Sequence, residues 1–385
     1  MRGAAATVTS ALGGGGSDIS RVYHGVWTGS LAPVALGRLV SPPMSSPRVS
    51  RTDAAESSGR RIAVIGVRGF VGGALLRRLE DDRGPERLVA LDLKKPLAPL
   101  DRSQFYRVDV TLPSADGDLA DILAREEIDT VVHAAFLGNP THRTAWAHEL
   151  EDVGTMHILA ACARARVAKV VLASTTLVYG AAPGHPNLLV EDRELSSDPR
   201  VPFVATKVAA ERQMRKFRAA HPEICVTTLR LAALLGPKAD SLAARFLSRP
   251  VAPVLLGFDP LIQVVHEEDA IDALLLALTG DHPGEFNIVA DGVLPYTTLL
   301  ALLGRLPLPL PRAVAYPLVN ALHALQLVSS PSAMLDWLRY LCVADGTKAR
   351  EVLGFEPRYD LRATLADFLG LPVGGAEYAV GEGRA

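Results

Sequence analysis

The sequence predicts an α/β fold built on a doubly wound parallel sheet. Strand-like and helix-like segments alternate from Arg60 onward. The strand-like segments IAVIG, TVVHAA and KVVLAS are hydrophobic on both faces, which is typical of strands that helices cover on both sides. The first of these segments runs directly into a glycine-rich turn and a helix. Ligands bind such sheets at the carboxyl ends of the strands, so we expect the functional site there.

Hydrophobic periodicity predicts the individual elements. We expect strands at residues 61–65, 87–92, 104–108, 129–134, 168–174 and 225–230, and another within EFNIVADG. We expect helices at residues 70–82, 117–126, 142–165, 203–220 and 269–278, and a mostly helical segment after Tyr296.

The glycine-rich turn lies in RIAVIGVRGFVGGALLRRL, residues 61–79. Gly66 can adopt a positive φ, Gly69 lets an anion approach the backbone, and Gly72 lets the helix pack closely on the strand. Phe70 and Val71 begin the helix, where free N–H groups and the positive end of the helix dipole favour a phosphate. The pattern predicts a dinucleotide site, and the alternative is an ordinary strand-to-helix turn.

Residues at the next strand ends extend this predicted site. Asp92 ends the second strand, twenty positions after Gly72, where an acid binds the adenosine ribose hydroxyls. Asp109 and Val110 follow the third strand and can meet the adenine, although Asp109 can equally be a turn residue. Ala134 and Ala135 end the fourth strand and are small enough for a nicotinamide ribose to lie against the backbone.

The type of dinucleotide depends on neighbouring charges. The Asp92 carboxylate repels a 2′-phosphate and therefore favours NAD. Arg68, Lys94 and Lys95 could instead bind that phosphate, which leaves NADP as the alternative. These three cations can also be solvated loop residues. We expect NAD.

The fourth and fifth strands end in further polar side chains. His133 invites an acid–base role, but a histidine on a buried strand is more often a hydrogen-bonded core residue. Ser174, Thr175 and Thr176 follow the fifth strand, and their hydroxyls can polarise a substrate oxygen or cap the strand end. His266 could similarly face a substrate, but a structural hydrogen bond is the simpler interpretation.

Together these stretches resemble the extended short-chain dehydrogenase/reductases, the NAD-dependent epimerase/dehydratases. The resemblance runs from about Arg60 to Leu369 and includes the glycine turn, VVHAA, STTLVYG, LRLAALLGP at 229–237 and QVVHEEDA at 263–270. It implies a Rossmann domain with a smaller, mostly helical C-terminal substrate domain. It also implies bound NAD or NADP and a small-molecule substrate, often a nucleotide sugar.

The resemblance also implies the catalytic residues, and here the chain departs from the family. The family uses a Ser or Thr together with Tyr-x-x-x-Lys, so Thr175 and Lys207 match while Phe203 stands at the tyrosine position. Tyr179 is the nearest tyrosine that could substitute. Glu151 stands where the family usually has Asn. Lys207 can still hold the nicotinamide ribose, because one helical turn places it on the same face as position 203.

Three hypotheses follow from this departure. The first is an atypical NAD-dependent oxidoreductase, epimerase or dehydratase that acts on a nucleotide sugar or a similar polar alcohol. The second is a non-catalytic NAD(P)-binding sensor or partner protein, because phenylalanine has no proton to transfer. The third is a structural protein with a decayed site that binds no cofactor.

The resemblance and the composition together suggest the domain boundaries. The chain has 385 residues, enough for one large domain or two modest ones. Its Gly-, Ser- and Pro-rich start lacks periodicity, which predicts disorder or a targeting segment and leaves Met1 or Met44 as the true start. We expect an extension at 1–59, a Rossmann domain at 60–236 with a return segment at 263–290, a substrate region at 237–262 and 291–371, and a flexible tail at 372–385.

Composition limits the partners and the compartment. A net charge of −2 gives no electrostatic reason to expect nucleic acid, and no apolar run predicts stable membrane insertion. Cys162, Cys225 and Cys342 show neither metal-ligand spacing nor a disulfide pattern, which predicts no metal and a reducing, cytoplasmic location. The helices at 142–165 and 203–220 form a dimer interface in many members of the resembled family, so a homodimer is possible.

Overall fold

A computed structural model describes residues 59–373 of the chain, except residues 83, 97, 98 and 197. The predicted extension (1–59) and tail (372–385) therefore lie outside the described residues, apart from positions 59, 372 and 373.

The strands fall where the hydrophobic pattern places them, and additional short strands follow. Their bounds are β1 Arg61–Ile65, β2 Arg87–Asp92, β3 Gln104–Arg107, β4 Thr130–His133, β5 Lys169–Thr175, β6 Cys225–Leu231, β7 Ala233–Leu235, β8 Val251–Leu255, β9 Leu261–Ile262, β10 Val264–His266, β11 Gly284–Ile288, β12 Leu294–Pro295 and β13 Leu306–Leu310.

The α-helices connect these strands. Their bounds are α1 Phe70–Asp81, α2 Ala115–Arg125, α3 Thr144–His148, α4 Gly154–Ala165, α5 Pro202–Ala220, α6 Leu242–Leu247, α7 Glu267–Thr279, α8 Tyr296–Leu302, α9 Arg312–Ala324, α10 Thr347–Leu353 and α11 Leu361–Phe368. Two short 3₁₀ helices, Thr176–Tyr179 and Ser332–Leu338, follow β5 and α9.

Within the described residues, seven strands form one parallel sheet in the order β11-β6-β5-β4-β1-β2-β3. The chain proceeds outward in one direction from β1 to β3 and then returns to add β4 on the other side of β1. This reversal is the switch point of a Rossmann-type sheet. The predicted α/β fold class is confirmed.

Two hydrophobic clusters cover the two faces of the sheet. Along β1, Ile62 and Val64 belong to one cluster, whereas Ala63 and Ile65 belong to the other. Because successive strand residues point to opposite faces, a strand covered on both sides is buried at every position, and apolar residues there need no hydrogen-bond partner. This explains the continuous apolar run IAVI.

The predicted helix at 142–165 is divided into three parts. A π-helical segment, Glu149–Val153, separates α3 from α4. Such segments insert an extra residue per turn and often occur at functional sites. Glu151 lies in this segment and is 1% exposed, so the irregular turn carries an acid into the protein interior.

The C-terminal region contains helices together with short strands. β7 pairs with β10, β8 pairs with β13, and β9 pairs with β12. A third hydrophobic cluster joins all of these strands except β13 to α6, α8 and α11. The helices of the described residues are all too short or too polar to cross a membrane.

Candidate functional site

The glycine turn after β1 requires residues that have no side chain. Gly66 has a φ of 93°, and a Cβ there would lie 2.5 Å from backbone atoms of Ala134 and Ala135. A Cβ on Gly72 would lie 2.4 Å from the carbonyl oxygen of Gly66. The turn, the end of β4 and the start of α1 are therefore packed backbone to backbone. The predicted roles of Gly66 and Gly72 agree with this geometry.

The start of α1 can hold a dinucleotide phosphate. Gly69 is the extended residue before the helix, and Phe70 and Val71 form its first turn, where N–H groups lack partners within the helix. Asp92, at the end of β2, accepts a hydrogen bond from the backbone N–H of Arg68 at 2.9 Å. The acid predicted for the ribose thus lies directly beside the glycine turn, and these residues fit a bound dinucleotide.

The next predicted cofactor residues have local structural roles. Asp109 accepts hydrogen bonds from the backbone N–H and the hydroxyl of Thr111, at 3.0 and 2.7 Å, so it closes a turn. Val110 is 6% exposed, and its side chain lies against Gly154 of α4. Their contact with an adenine stays a prediction.

A cleft of about 570 Å³ lies beyond the carboxyl ends of β5 and β6. Thr175, Phe203 and Lys207 all line it, so the three predicted catalytic positions meet in one cavity. Its volume is typical of small-molecule sites. The opposite walls come from α6, α8 and the 3₁₀ helix Ser332–Leu338.

Lys207 forms a buried ion pair with Glu151. Its Nζ donates to Glu151 Oε1 at 2.8 Å, and that oxygen also accepts the backbone N–H of Leu137 at 2.7 Å. The second oxygen accepts the hydroxyl of Thr206. Burial lowers the pKa of Lys207 below its ordinary value, while the Glu151 carboxylate acts in the opposite direction. Glu151 therefore binds the lysine predicted for the ribose.

Phe203 supplies an aromatic face to the same lysine. The Lys207 Nζ lies 4.0 Å from the centroid of the Phe203 ring and 5.7 Å from that of Phe136. Such cation–π contacts stabilise a desolvated ammonium by about 2 kcal/mol. The ring at position 203 thus keeps the lysine in place, although it has no hydroxyl.

The hydroxyl of Thr175 can donate a hydrogen bond to a ligand. Its Oγ1 accepts the backbone N–H of Leu177 at 3.3 Å, and a hydroxyl that accepts in this way can still donate its own hydrogen. Ser174 instead donates to Glu211 at 2.5 Å. Of these two neighbouring hydroxyls, Thr175 is the one available to a substrate oxygen.

Tyr179 is held away from the cleft. It is 0% exposed, and its hydroxyl donates to Asn287 and accepts from Arg230, each at 2.8 Å. Burial raises the pKa of Tyr179 to about 12. Arg230 in turn binds Glu211 through two nitrogens. The geometry makes Tyr179 part of a buried polar network and gives it no access to the cleft residues.

The two histidines considered from the sequence have structural partners. His133 is 0% exposed and pairs with Thr155 Oγ1 at 2.9 Å, and burial lowers its pKa to about 3. His266 is 1% exposed, caps α7 and pairs with Asp367 at 3.0 Å. Neither lines the cleft.

The sequence did not indicate that Glu151 pairs with Lys207, nor which segments form the outer walls of the cleft. A signal for the first was present, since residues 147, 151, 155 and 158 share a helical face that is otherwise apolar or small. An acid on such a face requires a buried partner. The outer walls come from segments about 70 to 170 residues further along the chain, and no local pattern connects them to β5.

Comparison with known proteins identifies the family. The profile of the NAD dependent epimerase/dehydratase family matches residues 62–289. An uncharacterized protein of Mycobacterium tuberculosis is 32% identical over 314 residues, covering 80% of this chain and 82% of the relative. UDP-glucose 4-epimerase of Mycolicibacterium smegmatis is 25% identical over 328 residues, covering 80% and 96%.

Solved structures agree in fold. MoeE5 in complex with UDP-glucuronic acid and NAD is 26% identical, with a TM-score of 0.62 over 80% of this chain and 98% of that one. UDP-glucose 4-epimerase of Thermotoga maritima with UDP-glucose is 19% identical, with a TM-score of 0.63 over 80% and 97%, which shows the fold alone. With a family profile that spans more than half of its length and a seven-stranded sheet of the matching fold, this chain belongs to the NAD-dependent epimerase/dehydratase family.

Proposed function

We propose that the chain binds NAD and transforms a hydroxyl or carbonyl group of a substrate held in the cleft. The observation that carries this proposal is that Thr175 and Lys207 line one cavity at the carboxyl ends of the strands. The glycine turn and Asp92 lie at the ends of the neighbouring strands β1 and β2. Bound NAD would supply a hydride acceptor next to the substrate.

The cofactor contacts follow from the predicted residues. Gly66, Gly69, Phe70, Val71 and Gly72 would hold the pyrophosphate at the start of α1. Asp92 would bind the adenosine ribose, and its negative charge favours NAD over NADP. Asp109 and Val110 would meet the adenine, while Ala134 and Ala135 would leave room for the nicotinamide ribose.

The catalytic roles differ from those usual in the family. We propose that Phe203 occupies the tyrosine position, so the acid–base group of Tyr-x-x-x-Lys is missing. Thr175 would donate its free hydrogen to the reacting oxygen and polarise it. Lys207, fixed by Glu151, would present one of its remaining N–H groups to the cofactor ribose.

The substrate class is first suggested by relatives. MoeE5 was crystallised with UDP-glucuronic acid, and UDP-glucose 4-epimerases are among the relatives. We carry over from them a substrate that is a nucleotide sugar or another alcohol, with the C-terminal segments 237–262 and 291–371 as its binding region.

A second candidate function is an NAD-binding protein without turnover. Phe203 favours it, since its ring has no ionisable proton. The Lys207–Glu151 pair also favours it, because a lysine engaged by a buried carboxylate has less charge to offer a reacting group.

Calorimetric titration with NAD and NADP tests both candidates. We expect micromolar binding of NAD and weaker binding of NADP in wild type and in Phe203→Tyr. We also expect wild type to change the absorbance of bound nicotinamide with a substrate from a panel of nucleotide sugars and alcohols. Gly66→Val is the control, because a side chain there would collide with Ala134 and Ala135.

The outcomes separate the candidates. Redox activity that appears only in Phe203→Tyr would support the non-catalytic protein. Activity of wild type that the tyrosine does not improve would support another acid–base group, with Thr175→Ala as the next variant. Absence of binding to either nucleotide would refute the dinucleotide site itself.

A further inference from the structure

The walls of the cleft are largely hydrophobic. The 3₁₀ helix Ser332–Leu338 contributes Met334, Trp337 and Leu338, and α6 contributes Leu242 and Phe246. These side chains come from three of the hydrophobic clusters but leave part of their surface toward the cavity. An apolar body would therefore contact carbon atoms across most of this space.

Several polar side chains of the lining are already engaged within the protein. Ser241 caps α6 and also donates to a backbone carbonyl at 2.6 Å. Gln263 uses both ends of its amide on the backbone of Ala344, each at 2.9 Å. The hydroxyl of Tyr296 donates to a backbone carbonyl at 3.2 Å. The further polar side chains of the lining, apart from those beside β5, are Asn139, Ser329, Ser330, Trp337, Tyr340 and Cys342, and all but Trp337 lie in loops.

The charges of the lining are also mostly neutralised. No Asp or Glu of the described residues lines the cleft. Lys207 is paired with Glu151, and Arg245 binds Asp240 through two nitrogens. Arg249 is an exposed cation next to α6. A diphosphate with two negative charges would therefore meet few cations that are not already paired.

These observations weigh against a sugar. A hydroxyl that is buried without a partner weakens binding, whereas each buried methylene strengthens it. We infer that the substrate is an alcohol or ketone with a large apolar body, whose oxygen meets Thr175 while its hydrocarbon part fills the cleft between α6 and the 3₁₀ helix Ser332–Leu338. This inference rests on the proposed function and replaces its nucleotide sugar with a hydrophobic substrate.

Binding of a homologous ketone series tests the inference. Hexan-2-one, octan-2-one, decan-2-one and UDP-glucose are titrated separately into the full chain saturated with NADH, with ligand-observed NMR as the readout. We expect the dissociation constant of the ketones to fall about two- to fourfold for each added methylene. UDP-glucose is expected to bind more weakly than decan-2-one.

A pair of variants at one wall residue locates the binding. Met334→Gln keeps the length of the side chain but places an amide against the ligand, and Met334→Leu keeps the wall apolar. We expect Met334→Gln to weaken the affinity for decan-2-one about tenfold and Met334→Leu to weaken it less than about threefold. The affinity for NADH should be unchanged in both variants. Equal effects of the two variants would contradict the assigned wall.

Failure of this inference is distinguishable from failure of the proposed function. If NADH does not bind, the proposed function fails and the inference fails with it. If NADH binds but ketone affinity does not depend on chain length, or UDP-glucose binds more tightly than decan-2-one, only the apolar substrate is refuted. The chain-length series needs no variant, so a misfolded variant cannot leave the result open.

Discussion

At the scale of single residues, the site is set by three side chains that act on one another. Glu151, Lys207 and Phe203 form a contact in which a buried ammonium has a carboxylate at 2.8 Å and an aromatic face at 4.0 Å. A charge that is 6% exposed is tolerated only with such compensation. Changing one member therefore changes the environment of the other two.

We predict strong coupling between Glu151 and Lys207. Glu151→Gln and Lys207→Met should each lower the free energy of unfolding by about 3–5 kcal/mol, because each leaves the other charge buried without its partner. The free energy of unfolding should fall less in the double variant than the sum of its decreases in the two single variants. Urea unfolding of the four proteins measures this difference.

An exposed pair provides the control for this cycle. Arg200 is 69% exposed in its salt bridge with Asp198, so Arg200→Met should cost less than about 1 kcal/mol. Additive effects of Glu151→Gln and Lys207→Met would show that the buried ion pair does not exist in solution.

At the scale of elements, the position of α1 depends on how closely it approaches β1. Gly72 lies in the first turn of the helix, where an added Cβ would be 2.4 Å from the carbonyl oxygen of Gly66, and Gly66 itself lies against the end of β4. A side chain in this contact would push the helix start, and the anion site with it, away from the sheet. The glycine pattern is thus a packing requirement as well as a binding motif.

We predict opposite effects of the same substitution in two helices. Gly72→Ala should lower the free energy of unfolding by about 1–3 kcal/mol, because the new methyl group meets backbone that cannot move freely. Gly117→Ala in α2 should raise it by up to about 1 kcal/mol, since the nearest heavy atom is a flexible arginine nitrogen at 3.9 Å. Urea unfolding of both variants measures these changes, and changes of equal sign would contradict the close packing of α1.

At the scale of the whole molecule, buried polar groups connect the C-terminal segments to the sheet. Asn287 on β11 accepts from Tyr179 and donates to the backbone carbonyls of Leu189 and Asp345. Arg230 on the neighbouring strand β6 joins this group to Glu211 on α5. These bonds hold the loop after the 3₁₀ helix Thr176–Tyr179 and the segment before α10 against one edge of the sheet.

We predict that acid destabilises the folded chain partly through His133. Its pKa is about 3 in the folded protein, because burial disfavours the charged ring, and 6.5 is the ordinary value expected in the unfolded chain. Below about pH 6.5 the unfolded state binds a proton that the folded state excludes. This residue should therefore reduce the free energy of unfolding by about 1.4 kcal/mol for each pH unit.

Urea unfolding of wild type and His133→Gln near pH 7, 5.5 and 4.5 measures this contribution. The glutamine cannot take up the proton, so the stability of the variant should fall less steeply and the two curves should converge toward acid. Parallel curves would mean that His133 is not buried as a neutral ring.

The sheet could be predicted because its signals are local. Most strands of the Rossmann core contain short apolar runs. The strands β1 to β6 were expected within one residue of their observed ends, whereas β11 was expected within EFNIVADG and begins one residue before it. The glycine turn could also be predicted, since the positive φ of Gly66 and the close approach at Gly72 leave only one residue type. The C-terminal strands β8, β9, β12 and β13 were missed, because proline-rich segments of two to five residues carry little periodicity.

The sequence by itself determined the α/β class, the order of the core elements and the residues at the strand ends, because burial on two faces imposes a continuous apolar pattern. Only the tertiary structure decided that Glu151 pairs with Lys207, that Tyr179 is enclosed by Arg230 and Asn287, and that hydrophobic segments line the cleft. Those contacts join residues about 50 to 170 positions apart. They depend on how folded elements pack, and no local periodicity records that packing.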